Sequence, residues 1–275
     1  MNAVKKKFDW GKTLVFTGIG AYTVFVLFPI YWALNSSFKD VNDVYTIPPK
    51  FVPSEPTLSA YEWLLKSSAR GAFLDSLIVS SIATGLAVFL GLLASYAFSR
   101  YPGRKLTSEG SFFNLLVVRM FPPIAFLLPI YWMWKYLGLI DTHFALIITY
   151  VAFNLPLTVW ILRNFVDEVP RSLEEASYLD GYSFWQTMRR TMLPLISAGL
   201  AATIALCWIF IWNEFLIGYL LSGKEVITYP AYLPSLRRGM RIMWNQIAAI
   251  SILASIPSVL ILFFFRKYII RLYFK

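Results

Sequence analysis

Cysteine and histidine each occur once in the 275 residues, as Cys207 and His143. One cysteine closes no disulfide within the chain, and the two residues together fall short of the four ligands of a structural Cys/His zinc site. A histidine-based couple of nucleophile and base has a single candidate. His143 follows Asp141-Thr142, a pattern that reads as the start of a helix. Charged residues are scarce as well, at 15% against about 25% in a soluble domain. A complete phosphate-binding loop is also missing, because that loop needs Gly, four residues, then Gly-Lys and a hydroxyl. Gly11-Lys12-Thr13 has the right ending, but Lys6 occupies the first glycine position. Gly218 and Gly223-Lys224 have the spacing, but Glu225 replaces the hydroxyl. The chain is therefore expected to be no ATPase and to carry no cofactor of its own.

Apolar residues fill the gap, at 58%, which excludes a disordered chain. A net charge of +10 could suggest nucleic acid, but here the charge lies between long apolar runs. Basic flanks around spans in a lipid bilayer fit that pattern better, and no nucleic-acid partner is expected. A helix needs roughly 20 apolar residues to cross the hydrocarbon. Six stretches qualify, near 13–34, 73–98, 111–133, 144–162, 195–221 and 246–265. With the N-terminus inside, the inner segments carry fifteen Lys and Arg, among them Lys5, Lys6, Lys7, Arg100, Arg163, Arg189, Arg190 and Lys275. The outer segments carry nine, with Arg119 inside a span. The bias places both termini in the cytoplasm of a multi-pass cell-membrane protein. The expected fold class is an all-α membrane protein of six transmembrane helices, forming one domain over 1–275.

The segment 36–72 holds Pro48, Pro49, Pro53 and Pro56 and reads as a turn-rich outer surface. The inner loop 163–194, between the fourth and fifth spans, is polar and organised. Its core, PRSLEEASYLDGYSFWQTMRRTMLP at 170–194, is bracketed by Pro170 and Pro194. Ser172 with Glu175, and Ser183 with Gln186, have the spacing of capping boxes, and Asp180-Gly181 between them is a turn signal. A helix–turn–helix unit follows. The residues alone admit two readings: an amphipathic loop resting on lipid, or a docking knob for a cytoplasmic protein.

The same residues carry a family resemblance. Membrane subunits of binding-protein-dependent ABC importers show Glu-Ala-Ala, three residues, Gly, nine residues, Ile, one residue, Leu-Pro. This chain has Glu175-Ala176-Ser177, Gly181, Thr191 and Leu193-Pro194 at the same spacing, with Ser177 and Thr191 as the two departures. YAFSRYPGRK at 96–105, MFPPIAFLLPIY at 120–131, LGLIDT at 137–142 and WNEF at 212–215 resemble the smaller membrane subunit of maltose-type sugar importers. The resemblance implies a permease subunit with a cytoplasmic coupling-helix loop between helices four and five. Its implied partners are a second homologous permease, two ABC ATPase subunits that hold ATP and magnesium, and an extracellular or periplasmic sugar-binding protein. Glu175, Ala176, Ser177, Asp180, Gly181, Leu193 and Pro194 are then the candidates for ATPase docking.

Polar breaks in the spans mark a candidate pathway, because ionisable and polar groups in lipid are costly and face the bundle interior. They are Arg119 beside Pro122 and Pro123, Asn154 before Pro156, and Asn213-Glu214 with Trp208 and Trp212 as candidate sugar-stacking rings. Arg119 and Glu214 are candidates to pair with each other or with a second subunit. In the outer loop 222–245, Tyr229, Tyr232, Pro234 and Arg237 are candidates for contact with the binding protein. The alternative class is an ion-driven secondary transporter that works without an ATPase.

Overall fold

A computed structural model describes residues 10–238 and 241–273. Lys5, Lys6, Lys7 and Lys275, counted for the orientation, lie outside the described residues. Helix α1 (Trp10–Ser37) is followed by the short α2 (Ser59–Lys66), then α3 (Ala69–Arg100), α4 (Glu109–Met120), α5 (Ile124–Tyr136) and α6 (His143–Asp167). Next come α7 (Arg171–Leu179), α8 (Phe184–Thr187), α9 (Leu193–Leu195), α10 (Ser197–Trp212), α11 (Leu216–Leu221), α12 (Tyr229–Tyr232) and α13 (Trp244–Tyr273). Among the described residues the one sheet is a two-residue ribbon, β1 (Arg237–Arg238) against β2 (Arg241–Ile242), with Arg237 opposite Ile242. The chain is thus a mostly helical membrane protein.

Among the described residues four helices are continuous, long and apolar enough to cross a membrane: α1, α3, α6 and α13. Two of the expected spans are not continuous. The third bends by 95° between α4 and α5. Pro122 and Pro123 supply no amide hydrogens, and a residue before proline is driven to extended backbone; Phe121 has φ −72° and ψ 138°. The fifth, expected as one helix over 195–221, ends at Trp212 and restarts at Leu216. An apolar count cannot detect that interruption, because the break occupies only three residues. Two bent pairs, α4 with α5 and Phe184–Leu195 with Ser197–Trp212 (83°), each counted as one crossing, give up to six among the described residues.

Two compact units form, one from residues up to 66 together with 236–254, the other from 67–235 with 255 onward. In the first, α1 is apolar on all sides, and none of its most apolar window is buried within the chain. A helix of that kind needs lipid or another protein around it. Polar ties organise the proline-bearing segment that follows. The buried Lys39 donates to the Lys50 carbonyl at 2.5 Å, and Lys50 pairs with Asp43 at 2.6 Å.

The second unit is built on α3 lying along α6, with α10 against both. The buried face of α3 is a row of small residues, Ser76, Ser80, Ala83, Ala87, Gly91 and Ser95. In a membrane, where apolar burial drives little, such a row lets helices approach closely enough for dispersion and hydrogen bonding. Thr158 of α6 uses that approach to donate to the Ala87 carbonyl at 3.1 Å. Leu146, Tyr150, Leu162, Met192 and Ile196 close the core around it.

Candidate functional site

The loop after α6 folds as expected in outline. Pro170 starts α7, whose first turn contains Ser172; no side chain caps it. The expected Ser172–Glu175 box is therefore replaced by a proline start, which needs no cap at the position of its missing amide. At the other end Gly181 takes φ +82°. The Tyr182 amide bonds the Ser177 carbonyl and the Gly181 amide bonds the Tyr178 carbonyl, each at 3.0 Å. This is the paired closure of a left-handed C-cap, which glycine enters without a steric penalty. Ser183 then begins α8 with a capping box, its amide donating to Gln186 Oε1 at 2.7 Å. In a regular helix the Pro194 ring would strike the carbonyl four residues back. The chain instead runs through a wide π turn, Met188–Met192, before α9.

Glu175, Ala176, Asp180, Gly181 and Pro194 are exposed, Leu193 is half-buried, and Ser177 is buried. Leu179 is 89% exposed and Trp185 58%. The two residues that depart from the family pattern meet: Ser177 Oγ and Thr191 Oγ1 lie 2.8 Å apart. A polar contact between the two halves of the unit thus stands where alanine and isoleucine would pack.

The residue that fixes the unit to the bundle is one the sequence reading passed over. Glu174, not Glu175, points inward. Arg100 Nε donates to its Oε1 at 2.5 Å and the Tyr96 hydroxyl to its Oε2 at 2.7 Å. The two charged side chains are 8% and 5% exposed. Arg100 Nη2 also donates to the Val169 carbonyl at 2.8 Å, and Arg171 Nη2 to the Ser99 carbonyl at 3.2 Å. Tyr96 and Arg100 stand one helical turn apart on α3, so the spacing that could have signalled them was present.

Arg100 and Asp75 are 25 residues apart on α3, or about 38 Å. At the Asp75 end, the segment 222–229 is tied to α3 and to the start of α6. Asp75 Oδ1 lies 2.9 Å from His143 Nε2, and its Oδ2 accepts the Ile227 amide at 3.2 Å. Ser76 Oγ accepts the Tyr229 amide at 2.6 Å. Asp141 sits at φ +64° and accepts the amides of Lys224 (2.7 Å), Val226 (2.8 Å) and Glu225 (3.0 Å). Partial burial pushes its pKa up, but these amides and that of Gly223 outweigh it and hold the carboxyl below the ordinary aspartate range. A β-carbon on Gly223 would meet Asp141 Oδ2 at 2.3 Å. The glycine that imitates a phosphate loop is thus required by a carboxylate.

Between these two ends the second unit holds an open cavity of about 310 Å³. Arg119, Asn154 and Glu214 line it, together with Tyr150, Phe153 and Phe210, which the sequence reading did not single out. Arg119 Nη1 donates to the Phe153 carbonyl at 3.1 Å, and its guanidinium lies 5.5 Å from the Phe210 ring centre. Glu214 does not pair with Arg119. Its carboxylate accepts the amides of Leu216 (2.9 Å), Ile217 (3.0 Å) and Gly218 (3.1 Å) and the Tyr150 hydroxyl (3.0 Å). Those amides are the unsatisfied first turn of α11, so Glu214 starts a new helix there and explains why the span breaks. Asn154 Nδ2 donates to the Tyr150 carbonyl at 2.9 Å, and its buried Oδ1 has no partner among the described residues.

Three of the six pathway candidates lie off the cavity wall. Trp208 and Trp212 stack on each other at 4.8 Å, and Phe73 and Tyr229 pack on Trp212 at 5.4 and 4.9 Å. The ring faces expected for a sugar are therefore occupied by other rings. Asn213 donates to the Ile209 carbonyl at 2.8 Å and accepts the Tyr229 hydroxyl at 3.0 Å. Tyr229, expected on a docking surface, is only 8% exposed, because its ring and hydroxyl serve this inner contact. Tyr232 is half-buried with its hydroxyl 3.1 Å from Ser68 Oγ, while Pro234 and Arg237 are exposed.

Comparison with known proteins gives a consistent picture. The family described as binding-protein-dependent transport system inner membrane component matches residues 85–275. The inner membrane ABC transporter permease protein YcjP of Escherichia coli is 32% identical, over 89% of this chain and 88% of its own. The trehalose transport system permease protein SugB of Mycobacterium tuberculosis is 31% identical over 90% of both chains. The trehalose/maltose transport system permease protein MalG of Thermococcus litoralis is 31% identical over 94% of both. Among solved structures, a chain of a bacterial ABC transporter that imports the acidic polysaccharide alginate superposes with a TM-score of 0.79 at 21% identity. The match covers 98% of this chain and 100% of that one.

Proposed function

The chain belongs to the family of binding-protein-dependent transport system inner membrane components, and from that premise we propose that it is one of two permease subunits of an ATP-driven sugar importer. In this reading the chain crosses the membrane six times with both termini in the cytoplasm, and the 170–194 unit lies on the cytoplasmic side as a coupling helix pair. A sugar-binding protein delivers a mono- to oligosaccharide at the outer face. Two ATPase subunits, which hold ATP and magnesium, close on the coupling unit, and the cavity beside Arg119, Asn154 and Glu214 changes its access from one side to the other. The sugar class is taken from the relatives, whose names include trehalose and maltose systems.

The observation that carries this reading is the two-sided character of the coupling unit. Its inner face is fixed to α3 through a buried ion pair, while Leu179 and Trp185 stand exposed beside Glu175 and Gly181. Exposed apolar knobs rimmed by charge are the surface another protein covers.

The test is purification of the tagged chain in mild detergent, with partners identified by mass spectrometry, for the parent and for Gly181→Trp. The parent is expected to bring down ATPase subunits and a second permease. Gly181→Trp should insert normally and lose the ATPases. A parent chain that comes down alone and takes up solute in response to membrane potential would overturn the importer reading in favour of an ion-driven carrier.

A further inference from the structure

The coupling unit has two covalent joints and one non-covalent one, and the covalent joints are the soft ones. Toward α6 the chain turns at Pro170, which has extended ψ of 134°. Toward α10 it passes a π turn and then bends by 83° around Ile196. The first joint has no amide at Pro170 to continue a ladder. At the second, the Ile196 amide still bonds the Met192 carbonyl and the Leu200 amide the Ile196 carbonyl, but helix type and direction change there. A push on the unit would therefore be absorbed at both joints. The contact with α3 has the opposite character. Glu174 is held by both Arg100 and Tyr96, Arg100 reaches on to the Val169 carbonyl, and Arg171 reaches the Ser99 carbonyl. The Tyr96 ring also packs edge-on against Phe184 of the second short helix at 5.4 Å. Both halves of the unit are thus keyed to one turn of α3.

We propose that Glu174 is a positioning residue that makes α3 the span moved by the ATPases: its buried pair with Arg100 locks the coupling unit to the end of α3, and α3 carries the displacement along α6 to the cavity. This rests on the reading of 170–194 as the ATPase-facing unit. Glu175, one residue on, faces outward and belongs to docking; Glu174 faces inward and belongs to transmission. Two adjacent carboxylates of one short helix, one buried and one exposed, therefore have separate tasks.

The test uses the assembled complex in lipid nanodiscs and needs no knowledge of the sugar. Val118, which lines the cavity, is changed to cysteine, and its rate of maleimide labelling is followed before and after trapping with ATP and vanadate. The native Cys207 is buried, so labelling reads the introduced thiol. In the Val118→Cys parent, trapping is expected to change the labelling rate. In the added Glu174→Gln variant, ATPases should co-purify and trap vanadate as before, while the response of the labelling rate shrinks by at least about fivefold. A Glu174→Gln complex that traps and responds like the parent overturns the proposal. If Glu174→Gln does not insert, the double change Glu174→Gln with Arg100→Gln decides, since it removes the ion pair without stranding one buried charge. A reduced response supports the lock, and an unchanged one overturns it. Absence of ATPases from the parent complex would instead be a failure of the coupling-unit reading itself.

Discussion

The two ends of α3 are anchored by different chemistry. At the Arg100 end a full positive charge meets a full negative charge, both nearly out of solvent, with a tyrosine hydroxyl completing the site. At the Asp75 end, carboxylates take backbone amides of the segment 224–227, several of whose residues are exposed. A buried ion pair is geometrically strict, and removing one partner strands the other without water. A carboxylate on exposed amides is more forgiving, because water can replace it. The first arrangement suits a joint that transmits force, and the second suits a loop that is held in place and can still yield.

The comparison is open to test by substitution. The largest effect is expected from Arg100→Met, which leaves Glu174 buried without its charge partner; a loss of about 3–5 kcal/mol should appear as a marked drop in thermal stability in detergent. Gly223→Ala probes the other end. Its β-carbon overlaps Asp141 Oδ2, and crowding of this kind costs about 1–3 kcal/mol. If Gly223→Ala proved more damaging than Arg100→Met under the same melting assay, the ranking of the two ends would be reversed. Ser177→Ala should cost about 1 kcal/mol by orphaning the Thr191 hydroxyl. The double change Ser177→Ala with Thr191→Ile should recover that loss, since both polar partners are then replaced together. A double variant no better than the single one would mean that the hydrogen bond is not what joins the two short helices.

The smallest effect is the pH response of the Asp141 clamp. Its carboxyl is held below the usual aspartate value of about 4. A depressed carboxylate contributes stability above the unfolded value and loses it as pH falls through the folded one. Acidification to pH 5 should therefore leave the clamp intact, with loosening only below about pH 4. Hydrogen exchange of the 224–226 amides checks this, and protection lost already at pH 5 would contradict it.

Much of this architecture was legible along the chain. Apolar runs mark the helices because crossing hydrocarbon demands length and composition, which are local properties. Pro122-Pro123 announces a bend by its missing amides, and Asp180-Gly181 and Ser183–Gln186 announce a turn and a cap by their spacing. The site was legible only in part. Arg119, Asn154 and Glu214 were found as costly polar groups and do line one cavity. Trp208 and Trp212 share their span's chemistry, but the choice between facing a cavity and facing other rings is made by neighbours of Trp212 that lie 17 and 139 residues away, Tyr229 and Phe73.

The sequence by itself determined a mostly helical membrane protein with a helix–turn–helix between its fourth and fifth apolar runs, since periodicity, proline and glycine act within a turn or two of chain. Which of two adjacent glutamates turns inward, which glycine must stay bare, and whether Glu214 pairs with an arginine or caps a helix were decided by tertiary structure alone. Those outcomes depend on which donors are brought within about 3 Å, and residues such as Tyr96 and Glu174 meet only after α3 and α7 have packed.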